Sequence, residues 1–81
     1  MTQYRVSHVN ANGVALQDSA GRHHLAMPLH RVLKIGDVLR GLQPRHGFAV
    51  LLDSAGRTCR VIFEAINCSQ QEVALQLQCQ R

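Results

Sequence analysis

Apolar and polar residues alternate along most of this chain, and the alternation breaks at short clusters of Asn, Asp, Ser, Gly and Pro. A period of two marks strands with one buried face, and such clusters mark the turns between them. Tyr4, Val6 and His8 alternate with Arg5, Ser7 and Val9, which predicts a first strand. Asn10-Ala11-Asn12-Gly13 follows, residue types that tolerate positive φ, and reads as a tight hairpin turn into a second strand ending at Gln17. Asp18-Ser19-Ala20-Gly21 is a type I turn closed by a bulge: Asp accepts through its side chain, and Gly takes the left-handed position. Arg22 to Met27 is a third strand, which Pro28 is expected to stop. Later, Phe48 to Leu52 and Arg57 to Ile66 read as strands joined by the same five residues, Asp53-Ser54-Ala55-Gly56-Arg57.

Leu29 to Leu42 connects the two turn-bearing units. Pro28 fits the opening of a helix, Leu29, Val32 and Leu33 share one helical face, and Gly36 stops it, so one to two helical turns are predicted over Leu29 to Lys34. Asp37 to Leu42 is then a strand. Two readings fit residues 69–81. Val73, Leu75, Leu77 and Cys79 alternate as in a strand, whereas Ser69-Gln70-Gln71-Glu72 is a capping box for a helix. Overlaying the two repeated turns sets Leu25 against Arg60 and Gln17 against Leu52, so their burial patterns disagree and the repeat reads as convergent turn chemistry. The predicted fold is mostly β: a small closed or partly open antiparallel β-barrel of about six strands, with a short internal helix and a C-terminal helix as one reading of the tail. Residues 1–81 form one domain in this reading. The expected core is Val6, Val14, Leu16, Leu25, Leu33, Val38, Phe48, Val50, Leu52, Val61, Phe63, Val73 and Leu77. The continuous apolar run Val61-Ile62-Phe63 offers an edge for self-association or for a partner.

A chain of 81 residues supports one modest core, burying about 60% of its unfolded surface. The net charge of +4 is carried by scattered residues, eight Arg and one Lys, with no basic run. Arg suits two-pronged contact with phosphate or carboxylate, so an acidic partner is compatible with the balance. Arg22 and Arg57 follow equivalent turns, and Arg40 and Arg45 flank one loop. These four are the candidate binding surface, expected to share a rim if the barrel brings them together. Three widely spaced cysteines, Cys59, Cys68 and Cys79, argue against a disulfide framework and point to reduced thiols in a cytoplasmic protein. There is no signal-peptide pattern and no apolar run long enough to span a membrane, so membrane insertion is not expected.

No residues are spaced for catalysis, a metal or a cofactor. His23 and His24 are adjacent on a strand and point to opposite faces, which splits them as metal ligands. Cys59 sits mid-strand among apolar residues, where a thiol lacks the electropositive setting that would activate it. Small β-barrels of the OB or SH3-like kind bind single-stranded nucleic acid through aromatic platforms and basic grooves. Only Tyr4, Phe48 and Phe63 could stack here.

The order of features resembles that of PilZ domains, a bacterial family. His8-Val9-Asn10-Ala11-Asn12-Gly13 has the spacing of the family's Asp/Asn-x-Ser-x-x-Gly turn. Leu33-Lys34-Ile35-Gly36-Asp37-Val38-Leu39 is similar to its Gly-Asp corner, Arg60-Val61-Ile62-Phe63 to its Phe-ended strand, and Ser69-Gln70-Gln71-Glu72 to the entry of its last helix. The departures fall on the ligand residues. His8 and Asn10 stand where the family has an acidic or amide residue and a Ser, and the paired arginines that hold cyclic di-GMP are missing, with only Arg5 upstream. The resemblance therefore implies a PilZ-like domain that does not bind the nucleotide. The expected function is a non-enzymatic adaptor acting through a protein partner, with homodimerisation and binding of nucleic acid as the other partner classes.

Overall fold

A computed structural model describes residues 2–11 and 13–68. It contains six antiparallel strands: β1 (Thr2–Asn10), β2 (Gly13–Asp18), β3 (His23–Leu29), β4 (Val38–Gly41), β5 (Gly47–Asp53) and β6 (Thr58–Cys68). They close into a barrel in the order β1-β2-β3-β6-β5-β4, with β4 returning to pair with β1. Closure gives every strand a neighbour on each side, although β4 pairs with only Leu52 and Asp53 of β5 and β2 stops at Ala26 of β3.

The interior is filled by Tyr4, Val6, Val14, Leu16, Ala26, Leu39, Leu51, Cys59, Val61 and Phe63. A six-stranded ring is narrow, and three aromatic rings occupy much of it. Tyr4 lies 5.9 Å from Phe63 and 6.1 Å from His24, centroid to centroid. Burial pushes the Tyr4 phenol up to about 12, and its hydroxyl donates to the carbonyl of Leu42 at 2.7 Å. Leu33 reaches into this cluster from the connector between β3 and β4. A second cluster, Ala15, Leu25 and Cys68 with Ala65, lies on the other face of β2, β3 and β6.

The connector is not helical. Among the described residues there is no helix. Leu29 ends β3, and His30 takes a left-handed conformation with φ of 59° that breaks any helix at its start. Val32 is 83% exposed, so the supposed apolar face has one buried member, Leu33. A six-residue segment with so little burial cannot offset the cost of nucleating a helix. What remains of the expected corner is a tight turn, in which Asp37 N–H donates to Lys34 O at 3.0 Å and Asp37 Oδ2 accepts from Lys34 N–H at 2.9 Å. The turn docks on β1 through Gly36 N–H to Val6 O and Val6 N–H to Asp37 O.

Pro28 does not stop β3. It lies inside the strand opposite Val61, and β2 pairs with β3 only as far as Ala26, so on that side Pro28 has no ladder bond to lose. The faces of β4 and β5 are also opposite to expectation. Leu39, Leu51 and Asp53 point inward, while Val38, Phe48, Val50 and Leu52 point outward, so those four do not belong to the central core. Leu25 joins the second cluster instead of the barrel interior. Nor is the run at Val61-Ile62-Phe63 an edge: β6 is paired on both sides, and only Ile62 faces out. The helix or strand expected over residues 69–81, with Val73 and Leu77, lies outside the described residues.

Candidate binding surface

The two repeated turns fold alike, as their sequences demand. Gly21 N–H donates to Asp18 O at 3.0 Å and Asp18 N–H to Arg22 O at 2.9 Å, with the same two bonds at Gly56, Asp53 and Arg57. In each, the Asp Oδ1 accepts from the N–H groups two and four residues on, at 2.9–3.0 Å. Gly21 and Gly56 take φ of 86° and 83°, the left-handed position reserved for Gly.

The turns differ in what their second carboxylate oxygen holds. Asp18 Oδ2 is 2.9 Å from Nε2 of the buried His24, whose Nδ1 accepts from Asn67 N–H at 3.0 Å. That acceptance puts the ring hydrogen on Nε2, where it donates to Asp18. Both ring nitrogens are thus engaged. Burial works to raise the Asp18 carboxyl, but the bonds from His24, Arg22 and Ala20 outweigh it and hold the group below its ordinary 3.8. Asp53 Oδ2 instead meets Arg31 at 2.9 Å and Arg57 at 3.3 Å. The Arg57 N–H bond, helped by Arg31 and Ala55, lowers this carboxyl too, against a smaller effect of burial.

Strand order decides which arginines meet. β3 begins opposite the end of β6, with His23 paired to Cys68, whereas β6 begins at Thr58 opposite Leu52. Arg22 and Arg57 therefore lie at opposite ends of β6, and the expected common rim does not form. Arg22 lines a shallow groove with Gln43 and Pro44, close to the loop that carries Arg45. Arg40 is elsewhere, on the outer face of β4, between Gln3 and Leu52.

The positions of the PilZ-like turn are also spread. Asn10 pairs with Gly13 at the β1–β2 hairpin, while His8 lies up the strand opposite Ala15, its Nδ1 at 3.0 Å from Ser7 Oγ and its ring 6.1 Å from that of His23. Gly13 is required by space: a Cβ there would stand 2.8 Å from the carbonyl oxygen of Ala26. Burial, then the neighbouring His8, lowers the His23 imidazole below its ordinary 6.5. No group of three His, Cys, Asp or Glu that could hold a metal occurs among the described residues. Cys59 is deep in the core, where burial raises its thiol and keeps it protonated. No described helix is long and apolar enough to cross a membrane.

The feature that sequence reasoning misplaced is the outer wall of β3, β6 and β5. Register aligns Met27 with Ile62 and Ile62 with Phe48, a row crossing three strands. One step along, Leu29, Arg60 and Val50 form a second row. Met27 is 40% exposed, Ile62 39%, Phe48 59% and Val50 46%, so these large apolar side chains form a contiguous solvent-facing patch. Such patches mark interaction surfaces in soluble domains. Arg60 stands within the patch and Arg40 at its flank, next to Leu52. The available sequence signal was the bulk of β5: Phe48, Val50 and Leu52 in one phase, Ala49, Leu51 and Asp53 in the other. No family model matches the chain, and no curated protein or solved structure matches it.

Proposed function

We propose that this chain is a non-enzymatic binding module that acts through protein contacts, as a PilZ-like adaptor that does not bind cyclic di-GMP. The wall of Met27, Ile62, Phe48 and Val50 carries the reading. A barrel that buried its bulkiest apolar residues wherever it could would turn Phe48 inward, yet here Ala49 and Leu51 take the inside. An apolar face kept in water with one cation inside it has the composition of a protein interface core, where aromatic residues, Met and Arg are enriched. The loss of paired arginines upstream of the hairpin supports the absence of nucleotide binding.

One observation favours nucleic acid as a second reading. Phe48 is the one described Phe or Tyr ring that stands exposed, with Arg60 in its wall and Arg40 at the flank, the pairing of stacking platform and cation that single strands use. Two experiments separate the readings. A photo-crosslinking amino acid in place of Phe48 is expected to yield protein adducts in cells, and the same group in place of Ser19, at a barrel end, is not. Fluorescence-anisotropy titrations with labelled single-stranded oligonucleotides are expected to show only weak binding at about 150 mM salt. Sub-micromolar binding that is lost in an Arg40→Gln, Arg60→Gln variant overturns the adaptor reading.

A further inference from the structure

We propose that the wall binds a second copy of this chain, about a two-fold axis running along the row Met27–Ile62–Phe48. The inference rests on the wall being the binding face. Its ground is the order of charges on β6. Arg60, Ile62 and Glu64 follow one another on the outer face, with Ile62 in the middle. Four residues of strand separate the two charges by about 13 Å, beyond ion-pair reach. Among the described residues neither Arg60 nor Glu64 has an ion pair.

A face-to-face dimer has its two-fold axis in the plane between the two walls. An axis along the row reverses β6 and leaves the row in place. Ile62 then meets Ile62, Phe48 meets Phe48, and Arg60 meets the partner's Glu64, twice by symmetry. An axis along β6 instead sets Arg60 against Arg60 and Glu64 against Glu64, so charge selects the first arrangement and rejects the second. The pattern is self-complementary about its own centre, which an isologous contact requires and a contact with an unrelated protein does not. Only four large apolar side chains make up the wall, so the dimer is expected to dissociate in the range of about 1–100 μM.

Sedimentation velocity from about 1 μM to about 500 μM tests this directly. The expected result is a shift from the 9.0 kDa chain towards twice that mass as concentration rises. Arg60→Glu and Glu64→Arg, each alone, are expected to weaken the dimer about tenfold or more, and the two together to restore it. Ile62→Lys is expected to be monomeric with an unchanged far-ultraviolet circular dichroism spectrum, because the side chain faces out. A wild-type monomer at every concentration, or charge variants without effect on the dimer, overturns the proposal. The two readings fail differently. A monomer, or a dimer indifferent to Ile62→Lys, removes the second copy from the wall, whereas the wall as binding face falls only if position 48 also yields no protein adduct.

Discussion

Replacing Val by Thr keeps shape and β-propensity almost constant and adds one hydroxyl, so it reports which way a strand position faces. Val50 and Val61 make the comparison on neighbouring strands, one in the outer wall and one wholly inside the barrel. At Val61 the new hydroxyl would lie in the apolar cluster with Leu16, Leu51 and Phe63, away from water. Burying it without a good partner costs about 1–3 kcal/mol. At Val50, 46% exposed, the hydroxyl reaches solvent and the change should stay within about 0.5 kcal/mol. For a chain of this size the urea dependence of stability is about 1 kcal/mol per molar, so Val61→Thr should lower the unfolding midpoint by about 1–3 M and Val50→Thr by less than about 0.5 M. Circular dichroism follows the transition. Equal losses, or a larger loss at Val50, would mean that β5 has the opposite phase and that the wall does not exist.

Three further outcomes are expected. Gly21→Val and Gly56→Val should each cost about 1–2 kcal/mol, because a β-branched residue is forced into the left-handed region; unchanged urea midpoints would remove the bulge geometry. Asp18 and Asp53 are lowered below 3.8 in the folded state, so their contribution is whole above that value and is lost as pH falls through the lower folded values. His23, lowered below 6.5, likewise favours the folded state fully above 6.5, and that contribution shrinks as pH falls towards its folded value. Urea midpoints from about pH 8 to about pH 2 should therefore decline in two stages, with Asp18→Asn flattening the acid stage and His23→Gln the earlier one; a flat profile contradicts both. Calorimetry with cyclic di-GMP at micromolar concentrations should show no heat of binding, and stoichiometric binding would restore a nucleotide-receptor role.

Local chemistry was legible in the sequence. Asp-x-x-Gly-Arg defines its own hydrogen bonds within five residues, and both turns adopt them. Hairpin partners β2–β3 and β5–β6 followed from those turns, and β1–β2 from the turn read between Asn10 and Gly13. What failed were statements that depend on distant neighbours. Pro28 and the Leu29–Leu33 spacing look helical alone, but β6 runs past β3 and draws Pro28 and Leu29 into the sheet opposite Val61 and Arg60. The rim of arginines failed for a similar reason. Equivalent turns land at the same end only if their hairpins run the same way, and the antiparallel β3–β6 pairing points them apart.

The misread phase of β5 has a cause in the volume of the barrel. Alternation gives two candidate faces, and in Phe48-Ala49-Val50-Leu51-Leu52-Asp53 the bulkier set is the natural choice for the core. The decision belongs to residues elsewhere. Tyr4, His24 and Phe63 already pack ring against ring in the narrow interior, and Leu16, Leu39 and Leu51 belong to the same core cluster as Tyr4 and Phe63. Gly41 makes room for Leu51: a Cβ at position 41 would collide with Leu51 Cδ2. At the strand's end, Asp53 must turn inward to bind its own turn and Arg31 from the connector. Once Leu51 and Asp53 are fixed inside, period two puts Phe48, Val50 and Leu52 outside, whatever their hydrophobicity. The same packing that satisfies the core therefore creates the exposed wall, and a Gly41→Ala replacement should unseat Leu51 while meeting the wall only in an ordinary contact with the Val50 carbonyl oxygen at 3.4 Å.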